Sequence, residues 1–130
     1  MDSYINSLID EITEYMLSCG GPYTEKYILP LQEAIVWSLA TGQYIWVPNK
    51  YYVCWWNVEE EDIETLEDGV QPLNTSYGPI IYIRELGLQN TSIREVISAI
   101  RKQNPHVEGA CWFRYKKKKF MFYPSQKGKE

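Results

Sequence analysis

The stretch from Ile80 to Tyr115 limits the fold of this chain more than any other part of it. Ile80–Arg84 is a near-continuous apolar run that reads as a buried strand. Ser92-Ile93-Arg94-Glu95 then forms a capping box, in which the serine oxygen accepts an orphan amide and Glu95 reaches back to the cap. Ile93, Val96, Ile97 and Ile100 share one helical face, and Asn104-Pro105 ends the helix. Val107–Tyr115 is a second strand, with Ala110, Trp112 and Arg114 on one face and Cys111, Phe113 and Tyr115 on the other. A strand, a helix and a strand joined by short links predict parallel pairing through a right-handed crossover.

Upstream, Ile5, Leu8, Ile9, Ile12 and Met16 repeat at helical spacing, so residues 3–18 read as an amphipathic helix stopped by Gly20-Gly21-Pro22. A second helical stripe, Tyr27, Ile28, Leu31, Ile35 and Leu39, runs from Thr24 to Gly42. Pro30 either kinks this helix or stands at its first position. Tyr44–Val47 and Tyr51–Val58 flank Pro48-Asn49-Lys50 and predict an antiparallel hairpin. Val53 and Trp55 face one way and Cys54 and Trp56 the other, so the second of these strands is expected inside the sheet. Residues 59–68 carry seven acids, with Ile63, Leu66 and Val70 as a weak helical stripe, and Gly69–Pro79 is a polar connection. Phe120–Tyr123 reads as a last strand and residues 125–130 as a frayed polar tail. The predicted architecture is α+β: a mixed sheet, N-terminal helices and a C-terminal strand–helix–strand unit, in one domain over residues 1–130.

Charge and cysteine content narrow the function. The net charge of −4 hides a division. Residues 1–79 carry thirteen acids and two bases, whereas residues 80–130 carry four acids and eleven bases. Such asymmetry points to an anionic ligand near the C-terminal half or to packing of complementary surfaces. Cys19, Cys54 and Cys111 are far apart and His106 is the single histidine, so neither a disulfide framework nor a metal site is expected. No secretion signal or membrane-length apolar run is read, and a soluble, cytoplasmic protein is expected.

The segment Arg84-Glu85-Leu86-Gly87-Leu88-Gln89-Asn90-Thr91-Ser92 joins the apolar strand to the capped helix. A helix start offers free amides and partial positive charge to a phosphate, and a glycine lets backbone approach a ligand closely. Here the chain resembles the GCN5-related N-acetyltransferase fold, and in particular the small GNAT-like proteins of bacteriophages. More distantly it resembles toxin-activating lysine acyltransferases. The family's pyrophosphate loop reads Q/R-x-x-G-x-G/A; Arg84 and Gly87 match it, and Gln89 stands in place of the final small residue. The resemblance covers roughly residues 24–123 in element order. It implies that acetyl-CoA or another acyl-CoA lies between the two parallel strands, with Arg84, Gly87, Leu88, Gln89, Asn90, Thr91 and Ser92 around its pyrophosphate. It further implies Glu85 as the base toward an amine acceptor and Tyr115 as the acid toward the leaving thiolate.

Two other readings follow from the same residues. The family carries a helix after its fifth strand, whereas this chain turns back at Lys116–Lys119, which fits a non-catalytic phage scaffold that binds a protein partner in a virion or in host takeover. Arg114 and the run Lys116, Lys117, Lys118 and Lys119 beside Phe120 and Phe122 also match the pattern of nucleic-acid contact, where cations meet phosphate and rings stack on bases.

Overall fold

A computed structural model of the chain describes residues 3–114 and 119–123. Helix α1 spans Ser3–Cys19, and α2 spans Ile28–Thr41 behind a short 3-10 turn at Glu25–Tyr27. Strands β1, Tyr44–Val47, and β2, Tyr51–Val58, follow. A 3-10 turn at Glu60–Asp62 leads into the short helix α3, Ile63–Glu67. Strand β3 is Ile80–Leu88, helix α4 is Ile93–Gln103, β4 is Gly109–Arg114 and β5 is Lys119–Tyr123. The five strands form one sheet in the order β1-β2-β3-β4-β5. The protein is therefore α+β with a five-stranded mixed sheet.

The pairing follows the sequence pattern. β1 and β2 are antiparallel, with Val47 opposite Tyr51 across the Pro48-Asn49-Lys50 turn. β3 and β4 are parallel, as a helix between two strands requires. β4 and β5 are antiparallel, from Ala110 opposite Tyr123 to Arg114 opposite Lys119. Every residue of β2 is buried, in keeping with apolar side chains on both of its faces. Pro30 is the third residue of α2; its missing amide falls in the first turn, where no intrahelical acceptor exists.

Two boundaries differ from expectation. β3 runs to Leu88 rather than ending at Arg84, so Glu85 and Gly87 belong to the strand and not to the loop after it. The inward positions alternate through Ile81, Ile83, Glu85 and Gly87. The strand continues because its polar inward residue is satisfied and its glycine makes room for a neighbour, as described below. Val70, expected on the stripe with Ile63 and Leu66, is instead 55% exposed, because the helix ends at Glu67. The residue assigned as leaving-group acid, Tyr115, and Lys116, Lys117, Lys118 and the tail lie outside the described residues.

The chain divides into two compact units, Met1–Cys54 with Glu85–Val96, and Trp55–Arg84 with Ile97–Glu130. In the first, Ile9, Ile12, Met16, Leu31, Ala34, Ile35, Tyr52 and Cys54 form the core, with Tyr15, Tyr27 and Trp46 packed against it. Full burial of each large aliphatic side chain contributes about 1.5–3 kcal/mol. In the second, Trp55, Val58, Leu66, Ile81, Ile83, Ile97, Ile100, Ala110 and Cys111 are buried.

Candidate functional site

In the first unit, the inward alternation of β3 places a carboxylate in the interior. Glu85 is 5% exposed. Its Oε1 accepts from the phenols of Tyr23 at 3.2 Å and Tyr27 at 3.3 Å, and its Oε2 accepts from Tyr27 at 2.9 Å. The Tyr23 hydroxyl in turn accepts from the Leu86 amide at 2.9 Å. A buried charge is tolerated only where such bonds replace water. Burial, and then the Glu85 charge, hold the Tyr23 phenol well above its ordinary value, so it stays a donor. Tyr52 lies in the same core with its hydroxyl 2.7 Å from Ser38 Oγ, and burial raises its pKa too.

Gly87, two residues further along the same face, has no room for a side chain. A Cβ there would run into the sulfur of Met16 and come within 3.1 Å of the Cys19 sulfur. Its small size thus serves the seating of α1. Gln89 follows at the strand end. Its amide donates to the Lys50 carbonyl at 2.9 Å, and its side-chain nitrogen donates to Ser18 Oγ at 3.2 Å. The Tyr15 hydroxyl donates to that Lys50 carbonyl at 2.7 Å; burial, then Cys19, push its pKa up to about 12.

The turn into α4 keeps the capping bond that the sequence predicts. The Glu95 amide donates to Ser92 Oγ at 3.3 Å, and Thr91 Oγ1 donates to Glu95 Oε2 at 2.5 Å. Asn90 sits in the left-handed region at φ 59°. The amides of Asn90, Thr91 and Ser92 donate to no protein acceptor among the described residues. These three successive amides lie in the turn just ahead of the eleven-residue helix α4 and are able to meet a phosphate.

In the second unit, the Arg84 guanidinium lies 5.0 Å from the centre of the Trp56 ring, a cation–π distance. Trp56, Tyr82, Phe120 and Phe122 follow one another at 5.6, 6.0 and 5.4 Å between ring centres. Arg114 and Lys119 are opposite one another at the end of the β4–β5 ladder, and both are exposed. The parallel ladder joins Ile80–Tyr82 to Gly109–Cys111. Among the described residues no group of three His, Cys, Asp or Glu side chains is placed to hold a metal. None of the described helices is long and apolar enough to cross a membrane.

The structure thus gathers Gly87, Leu88, Gln89, Asn90, Thr91 and Ser92 into one strand end and turn. It gives Glu85 to a buried phenol cluster and Arg84 to a tryptophan face. Sequence reasoning missed Tyr23 and Tyr27 as partners of Glu85. No local signal marks them: Tyr23 and Tyr27 lie 62 and 58 residues from Glu85 in the sequence. No protein-family model, curated protein or solved structure matches this chain.

Proposed function

We propose that the chain is an acyl-CoA-dependent N-acyltransferase with the architecture of the small phage GNAT-like proteins. The observation that carries this reading lies in the turn between β3 and α4, which leads into an eleven-residue helix. The unengaged amides of Asn90, Thr91 and Ser92 support it by offering a pyrophosphate a cradle of donors. Bound acyl-CoA would supply an activated thioester carbonyl to an amine. The protein's part is to hold the pyrophosphate with those amides, while Gly87 and Gln89 are committed to fixing the turn against α1 and the β1–β2 hairpin. Calorimetric titration and thermal shift with acetyl-CoA and longer acyl-CoAs test it. Saturable binding is expected, and no response at millimolar ligand removes the enzyme reading.

A second reading, a non-catalytic scaffold of the same architecture that binds a protein partner, is favoured by Glu85. Both of its oxygens are engaged by phenols and only 5% of the residue is exposed, which suits an interior anchor better than a base that meets an amine. The two readings separate in one assay. Binding of acyl-CoA without transfer to any amine selects the scaffold, and turnover that is lost in Glu85→Gln with the fold intact selects the enzyme.

A further inference from the structure

We infer that the segment from Glu59 to Tyr77 is a docking surface for a basic polypeptide segment that carries apolar anchor side chains. The inference is independent of acyl-CoA binding. It starts from three large apolar residues left outside the fold: Val70 is 55% exposed, Tyr77 74%, and Leu73 fully exposed. Single exposed apolar side chains are ordinary, but three within eight residues mark an interaction surface.

These residues stand on an anchored loop. The Asn57 amide, in β2, donates to the Thr75 carbonyl at 2.9 Å, and Asn57 Nδ2 reaches the Gly78 carbonyl at 3.4 Å. Asn57 itself is 3% exposed and forms a parallel bridge with Ser76. The Ser76 amide donates to Asn74 Oδ1 at 3.0 Å, closing a local turn. Gly78 takes φ 146° against the Val58 backbone, where a Cβ would meet main-chain atoms that cannot give way. Pro72 is buried between the exposed Val70 and Leu73. The loop is therefore held from its interior side and presents its apolar side chains outward, which lowers the ordering cost of binding.

Charge identifies the occupant. Seven carboxylates, Glu59, Glu60, Glu61, Asp62, Glu64, Glu67 and Asp68, immediately precede this loop. Among the described residues none of them has a cationic partner; Glu59 and Asp62 only cap each other's turn. Glu64 and Glu67 stand three apart on α3, a spacing at which like charges repel. A partner with lysines or arginines relieves that repulsion, and its apolar side chains cover Val70, Leu73 and Tyr77. Acidic or nucleic-acid partners meet the wrong sign.

The probe is a synthetic Lys/Leu amphipathic peptide of about five helical turns, compared with a Lys/Ser peptide of equal charge. We expect the Lys/Leu peptide to bind the whole chain, with affinity falling about tenfold in E60Q/E61Q/E64Q/E67Q and about fivefold or more in L73S/Y77S. These exposed changes leave the circular dichroism and melting temperature in place, which certifies the variants. Equal binding of the Lys/Ser peptide, or unchanged affinity in L73S/Y77S, overturns the proposal, because charge alone would then account for the binding. Sedimentation of the chain by itself is the second arm. A dimer abolished by the same variants overturns it in favour of a second copy as occupant.

Discussion

The Glu85 cluster and the Glu59–Tyr77 segment handle the same problem in opposite ways. Each concentrates groups that fold poorly on their own: a buried carboxylate with three phenols in one, a run of like charges with exposed apolar side chains in the other. In the Glu85 cluster the chain supplies the partners itself. Tyr23 and Tyr27 satisfy the carboxylate, Leu86 satisfies Tyr23, and Ser38 satisfies Tyr52. In the Glu59–Tyr77 segment Asn57 holds the backbone and Leu66 and Pro72 are buried, while Val70, Leu73 and Tyr77 face outward. Satisfied polar burial specifies structure, whereas ordered but uncompensated surface is suited to a partner.

If the Glu85 cluster is structural, Glu85→Ala has the largest effect. It strands two phenols and opens a cavity, so the loss is about 2–5 kcal/mol in urea unfolding. A loss below about 1 kcal/mol would erase the contrast between the two regions. Gly78→Ala comes next, at about 2–4 kcal/mol, since it strains both φ and the Val58 backbone contact. Gly87→Ala costs less, about 1–3 kcal/mol, because the obstructing atom is the end of the flexible but buried Met16 side chain.

The pH response sharpens the comparison further. Tyr23 and Tyr52 are raised above the ordinary phenol value of 10.0, and burial, then Glu67, raise the Cys111 thiol from 9.0 to about 12. Each group is neutral when protonated and holds its proton longer in the folded state. Its contribution is therefore complete below the unfolded value and falls as pH rises toward the folded one. Stability should decline from about pH 9 to 12, and Cys111→Ala should flatten the lower part of that slope. A stability that stays level across this range would contradict the burial of these groups. The smallest effect belongs to the acidic run: E60Q/E61Q/E64Q should change stability by no more than about 0.5 kcal/mol, in the stabilising direction and less so in high salt. A large loss would show that these charges serve the fold.

Much of the architecture was legible in the sequence because it rests on periodicity and caps. The helical stripe through Leu8, Ile9, Ile12 and Met16, the Ser92 half of the capping box and the Pro48-Asn49-Lys50 turn each act through near neighbours, and each is present, whereas Ile5 is exposed and the Glu95 carboxylate takes the Thr91 hydroxyl. The length of β3 was not legible, since a glutamate and a glycine look like loop residues until the groups facing them are known. Tyr23 is 62 residues from Glu85, and Met16 is 71 from Gly87. Contacts of that separation leave no local pattern. The placing of Arg84 on Trp56 was hidden for the same reason, and the outward turn of Val70 reflects where α3 stops.

The most direct test of the functional account is the amide spectrum of the nitrogen-15-labelled chain titrated with acetyl-CoA. Saturable shifts led by Asn90, Thr91 and Ser92 are expected, with smaller changes at Gly87 and Gln89, which are engaged with α1 and the β1–β2 hairpin. Amides at 90–92 that stay in place at millimolar acetyl-CoA would contradict it.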